Sequence, residues 1–260
     1  MGKNYYYLVT SLPTLNFGEF NTVPVADLLE KIGQEVTSED RERIVFFQKE
    51  NDIRNLNSVE EDWETFRNLG NIPAAAFTDP EQTVAFPEKW VDYMLSQKGE
   101  KPIHIDTLWL AYFEEGKSLK SEFIDAWLTH ELALRTAIAL IRQEKQEAVN
   151  LSEEVQASEQ PVIAEILPNS RQPNFGVAYQ FDWADSLREL FKNKNPKEIE
   201  MALDQIRWQF LDAWIANRHF ANEVVLAYAL KLFICERWKR LDQQKGEQII
   251  KTILGGTSGE

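Results

Sequence analysis

The chain of 260 residues is expected to fold as a mainly all-α protein of layered helical bundles, with a short extended segment at its N-terminus. Three observations carry that expectation. Apolar residues recur at helical spacing over long stretches, as in Phe123, Ile124, Trp127, Leu134, Ile138 and Ile141. Helix-start signals precede several such stretches: Thr37 with Asp40, Ser58 with Glu61, and a proline at 24, 87 and 196. The run Val224 to Cys235 is apolar on every side of a helical wheel except at Lys231. A helix apolar all round must be buried among others or in a partner. At twelve residues this one is too short to span a bilayer, and no transmembrane segment is expected.

Taken in order, Tyr5 to Val9 is aromatic and β-prone and Pro13 ends it, which predicts a brief strand or extended segment packed on helices. Pro24 opens a short helix through Val36. Thr37 and Asp40 form an acidic variant of the capping box for a second helix, RERIVFFQKENDIRNL. Ser58-Val59-Glu60-Glu61 is a standard capping box, and Trp63, Phe66 and Leu69 follow at helical spacing before Gly70 closes that helix. Residues 71–86 read as a loop rich in Pro and Ala. Pro87 starts PEKWVDYMLSQK, ended by Gly99; another helix runs from about Asp106 to Glu115, and the longest from Ser118 to about Val149.

Residues 150–180 carry Pro161, Pro168 and Pro173 without a sustained period and read as a linker. It divides the chain into an N-terminal bundle (1–149) and a C-terminal bundle (181–260). In the second bundle a short helix (Trp183 to Asn193) and a long one (Pro196 to about Phe220) precede the apolar helix, capped by Asn222. A last amphipathic turn or two follows at Glu247 to Leu254. The Pro196 helix is apolar on two faces, Ile199, Leu203, Ile206, Phe210 and Trp214 on one and Met201, Trp208 and Ile215 on the other, so it is expected at the centre of its bundle. FIDAWL at 123–128 recurs as FLDAWI at 210–215, which leaves two related helical units and a chance echo both open.

Composition excludes more than it selects. A formal net charge of -14 repels phosphate backbones and anionic lipid headgroups, and no basic run offsets it, so no nucleic-acid partner is expected. Plain solubility and attraction to a basic partner surface both account for that charge. The single cysteine, Cys235, rules out an internal disulfide and sits where a small core residue belongs. The opening MGKNYYYLVTSLP lacks the apolar stretch and cleavage site of a signal peptide, and a cytoplasmic location is expected.

No motif for catalysis stands out. His104, His130 and His219 lie far apart, and the residues three before them, Lys101, Trp127 and Ala216, exclude the Glu-x-x-His spacing of di-iron bundles. Asp182 and Asp185 are a poor substitute for an aspartate-rich magnesium motif, and neither a phosphate-binding loop nor a nucleophile elbow is present. No enzymatic activity, metal or cofactor is expected. Two charged features stand out. Glu131 falls near the centre of the long helix's apolar face with Arg135 and Arg142 flanking it, either as a pair at i,i+4 spacing or as a polar specificity element of an interface. Lys231, enclosed by apolar neighbours, either reaches water or needs a carboxylate partner.

The opening YYYLVTSLP, LD-x-x-RW at Leu203 to Trp208, and LAYALKL-x-x-x-ERW at Leu226 to Trp238 resemble a bacterial family of uncharacterised proteins encoded with V-type ATPase subunits. The resemblance covers most of the chain. The matching positions are Tyr5, Tyr6, Leu8, Leu12 and Pro13, then Asp182 and Trp183, then Leu203, Asp204, Arg207 and Trp208, and last Tyr228, Lys231, Leu232, Glu236, Arg237 and Trp238. The resemblance implies the place of the V-type C subunit, the d subunit of eukaryotes, an all-helical piece that sits on the membrane rotor ring and receives the central stalk. It further implies a non-catalytic coupling role at the cytoplasmic face of the inner membrane, with the stalk subunits and the proteolipid ring as partners. The chain is shorter than typical C subunits of this kind, which leaves a reduced or missing bundle in prospect. Two other classes remain: a free-standing helical adaptor or assembly factor, and a helical enzyme using Glu131 or Asp204, which would require a deep polar pocket.

Overall fold

A computed structural model describes residues 4–58, 66–78, 87–97, 99, 102–145, 151–193 and 195–256. Among them the fold is all-α, with no strand. The helices are α1 (Tyr6–Ser11), α2 (Val25–Glu35), α3 (Ser38–Ser58), α4 (Ala74–Thr78), α5 (Glu88–Ser96), α6 (Asp106–Ser118), α7 (Glu122–Glu144), α8 (Glu153–Gln156), α9 (Pro161–Ile166), α10 (Leu187–Asn193), α11 (Pro196–Ile215) and α12 (Asn222–Gly256).

The chain divides into two compact units, one formed by Met1–Ile44 with Leu203–Glu260 and the other by Val45–Ala202. The boundaries therefore fall inside α3 and α11 and not at the proline-bearing stretch 150–180. That stretch belongs wholly to the second unit, where α8 packs on α6 and α9 on α7. Within that unit its prolines punctuate short helices and turns.

In unit 1, α2 buries Val25, Leu28 and Ile32 on one stripe and packs on α12. The aromatic opening is helical, not extended, which corrects the expectation of a strand. β-propensity stabilises a strand only beside a pairing neighbour, whereas here the amide of Tyr5 donates to the Phe220 carbonyl and that of Tyr6 to the Asn4 side chain. The C-terminal region is also simpler than expected. One helix of 35 residues, α12, replaces an apolar helix followed by a separate amphipathic turn. Asn222 is its first residue, not its cap.

In unit 2, α7 is the spine, capped by Ser121, whose hydroxyl accepts from the Ile124 amide. It buries Phe123, Ile124, Trp127, Leu134 and Ile141 as its periodicity requires, and packs on α6 and α9. The helix expected over 58–70 does not form in its described part: Ser58 ends α3, residues 66–72 are irregular with turns and bends from 68, and Trp63 lies outside the described residues. The polar face of α3 accounts for this. Asn55 pairs with both backbone groups of Arg67, and the Asp52 carboxylate accepts from the amides of Asn71 and Ile72, so the backbone groups are satisfied by side chains instead of by a helix. Burial raises the Asp52 carboxyl above its ordinary value, against the lowering effect of those amides. The Ala-rich stretch of the expected loop folds as α4. FIDAWL opens α7 while FLDAWI closes α11, so the echo occupies opposite helix ends.

Close approach in unit 2 depends on Gly116. A Cβ there would lie 2.1 Å from Leu128 Cδ1 and 2.8 Å from Phe46 Cζ. Gly116→Ala gains about 1 kcal/mol of helix propensity but overpacks the contact of α6 with its neighbours. An overpacking cost of about 1–3 kcal/mol less that gain leaves a net loss of up to about 2 kcal/mol in urea unfolding; a raised midpoint would show that Leu128 and Phe46 have room to move.

Candidate functional site

Two stretches that are distant in sequence converge in unit 1 on Asp204, which is only 2% exposed. Its Oδ1 accepts from Arg207 Nη1 at 2.9 Å, one turn along α11. Its Oδ2 accepts from Arg237 Nη1 at 2.6 Å and from the indole Nε1 of Trp238 at 2.8 Å, both on α12. A buried carboxylate is tolerable only when opposite charge and hydrogen bonds replace its water, and this one has two guanidiniums and an indole N–H. Phe20 stacks on Trp238 at 6.0 Å, and Phe17 meets Trp208 edge-on at 5.5 Å.

Lys231 completes the cluster. It is 7% exposed, its Nζ lies 4.9 Å from the Trp208 ring centroid, and it donates to the exposed carboxylate of Asp212. The stem is thus buried while the head reaches a surface anion, joining both expectations for this residue. Tyr228 donates to the Pro13 carbonyl at 2.8 Å, and burial pushes its phenol up to about 12. Burial likewise pushes the Cys235 thiol up to about 12, so it stays protonated at neutral pH and behaves as a core residue. Glu236 is half-buried outside the cluster.

A second buried carboxylate, Asp40, ties the chain's opening to the start of α12. Its Oδ2 accepts from Tyr5 Oη at 2.6 Å and Thr37 Oγ1 at 3.0 Å, and its Oδ1 from Arg43 Nη1 at 2.6 Å and Asn222 Nδ2 at 3.0 Å. The Asp40 amide donates to Thr37 Oγ1 at 3.2 Å, which realises the acidic capping box. Burial alone would raise the Asp40 carboxyl, but the donors from Tyr5, Asn222, Arg43 and Thr37 outweigh it and hold it below the ordinary carboxyl value. Burial, and then the bond to Asp40, raise the Tyr5 phenol. The consequence lies at the surface. Beyond the pinned Tyr5, Tyr6 is 50% and Tyr7 85% exposed, with Tyr6 4.7 Å from Phe220 and edge-on to Tyr7 at 5.4 Å.

The remaining candidates lie in unit 2. Glu131, 3% exposed, pairs with Arg135 at 3.3 Å, and Arg135 also reaches Glu50 of α3 at 2.9 Å. Trp109 lies under both Arg135 (4.0 Å) and Arg54 (5.5 Å). Glu131 thus belongs to a network bridging α3, α6 and α7, while Arg142 stands apart and pairs with Glu200 at 3.7 Å. Asp182 is exposed; Trp183 is buried, stacked on Phe181 at 5.3 Å and edge-on to His130 at 6.2 Å. Among the described residues no group of three or more His, Cys, Asp or Glu side chains is arranged to hold a metal.

Asp40, Asn222 and Glu50 matter here although sequence reasoning assigned the first two only to helix starts and passed over the third. The partners that tie them to other helices, Tyr5 and Asn222 for Asp40 and Arg135 for Glu50, are remote in sequence, and no local pattern announces them. Asp204→Asn removes a buried negative charge shared by two partly buried arginines and should cost about 3–5 kcal/mol in urea unfolding. The depressed Asp40 carboxyl contributes stability that is complete above its unfolded value near 3.8 and lost as pH falls below it. Urea midpoints of the wild type should therefore drop through that acidic window, and Asp40→Asn should flatten that part of the drop.

No curated protein and no solved structure matches this chain. A family model does match, over residues 1–258, and the chain belongs to that family, described as a protein of unknown function (DUF2764).

Proposed function

We propose that the chain is a non-catalytic linker of a V-type rotary ATPase, similar in role to the C subunit, coupling the soluble central stalk to the membrane rotor ring from the cytoplasmic side. The observation that supports this reading most is the convergence of Asp204, Arg207, Trp208, Lys231, Arg237 and Trp238, all positions of the resemblance, on one buried cluster of unit 1. A mechanical coupler transmits torque only if it is stiff, and close-packed helices pinned by buried ion pairs and aromatic rings supply stiffness. The exposed pair Tyr6 and Tyr7 gives the same unit a preorganised aromatic face of the kind that anchors partners. Unit 2 holds 28 acidic and 16 basic residues, a formal -12 of the chain's -14, and suits a basic partner surface.

The competing reading is a helical adaptor or assembly factor that engages such a complex transiently. Few large apolar side chains are exposed among the described residues, namely Tyr6, Tyr7, Val45, Leu95 and Tyr179, and this favours a small interface. Among the described residues no helix is long and apolar enough to cross a membrane, and both readings agree with that.

Purification of the tagged protein from its native cells in mild detergent, with co-purifying proteins quantified by mass spectrometry, separates the two. Equal recovery with V-type stalk subunits, and loss of ATP-driven ion pumping on deletion, is the outcome the linker predicts. Substoichiometric recovery favours the adaptor, and recovery without those subunits contradicts both. Tyr7→Ala should lower partner recovery about tenfold, as loss of an aromatic anchor does, while leaving the melting temperature unchanged because the ring is 85% exposed.

A further inference from the structure

We propose that a cavity within unit 2 is a binding site for a small apolar cation, an aromatic or alkyl body carrying a protonated amine. The cavity measures about 340 Å³ and is bounded by α6, α7 and the start of α9. That volume is at the small end of the range that holds ligands, roughly 300–1,000 Å³. Phe113, Leu128, Leu132 and Val162 give it an apolar wall, so the body of a ligand must be apolar to gain by entering.

The polar groups left for that ligand are acceptors. Gln160 lines the cavity and is 8% exposed. Its Nε2 donates to the Glu114 carboxylate, which can only accept, so the orientation of the amide is fixed. Its Oε1 remains as an acceptor to which none of the described residues donates. Gln160 is also the N-cap residue of α9, directly before Pro161, which holds its backbone in place. The Asp125 carboxylate at the exposed edge is engaged by none of the described side chains. The Thr129 hydroxyl donates its proton to the Asp125 backbone carbonyl at 2.7 Å and keeps its lone pairs.

The one cation among the described residues lining the cavity, Lys117, is paired with Glu114 at 3.4 Å and so is partly neutralised. An anionic ligand would meet the Asp125 carboxylate, and a neutral one, even with a hydroxyl to donate, would leave that charge without a counter-charge. A protonated amine on an apolar body satisfies the acceptors and the wall together, and the formal charge of -12 on this unit raises the local concentration of cations.

The test titrates the full-length protein with three probes of one shape: naphthylmethylamine, naphthylmethanol and naphthoate, followed by amide NMR. The site predicts saturable shifts at Thr129, Leu132 and Val162 for the amine, weaker binding of the alcohol and none of naphthoate. Asp125→Asn should weaken the amine about fivefold, the worth of an exposed ion pair, and leave the alcohol unchanged. Val162→Phe should fill the cavity and abolish both; if that variant does not fold, Asp125→Asn, a change at an exposed position, still decides. Equal binding of amine, alcohol and naphthoate, shifts away from these residues, or no saturation by the amine would overturn the proposal.

Discussion

A carboxylate that has lost nearly all contact with water must recover its solvation from the protein, and in unit 1 the recovery at Asp204 dictates how two helices meet. Arg207 comes from the same helix as the carboxylate, but Arg237 and Trp238 come from α12, so satisfying the charge fixes both the rotation and the register of α12 against α11. Once that register is set, Lys231 falls over Trp208 and within reach of Asp212, and the ring of Trp238 meets Phe20. A purely apolar seam of the kind Val225 to Cys235 could make would tolerate sliding. The buried ion cluster does not.

Asp40 applies the same constraint at the other end of the unit. Four donors from three separate stretches close on it, and together with the Tyr5 amide on the Phe220 carbonyl they hold the chain's opening against the start of α12. Rigidity placed there extends to the exposed Tyr6 and Tyr7, which follow the pinned Tyr5 directly and lean on Phe220 and on each other. Unit 2 uses its charges differently. The Glu50, Glu131, Arg135 and Trp109 network bridges three helices inside it, while most of its described acid residues face solvent, where they act at long range and carry little stability.

What could be read from the sequence divides along the range of the interactions involved. The helices α2, α3, α5, α6, α7 and α11 were legible because stripes and start signals such as Thr37 act within a few residues; the Ser121 cap of α7, three residues inside the expected start at Ser118, was not read. The Tyr5 to Val9 stretch misled because its β-propensity has no strand to pair with among the described residues, and the helical spacing through Phe66 and Leu69 because Asn55 and Asp52 engage backbone groups of Arg67 and Ile72. The division into two units escaped because unit 1 is discontinuous in sequence, a property of long-range contacts alone. At the site, the pairing of Glu131 with Arg135 follows from i,i+4 spacing and was readable. That LD-x-x-RW and ERW meet at one carboxylate was not, although each motif stands out by itself.

The claim that Asp204 binds α11 and α12 into one cooperative unit is tested most directly by native-state amide hydrogen exchange on the intact protein. Amides of α11 from Leu203 to Ile215 and of α12 from Val225 to Trp238 should share a single opening free energy close to that of global unfolding. Exchange of either helix by independent local opening, at much lower free energy than the other, would contradict it.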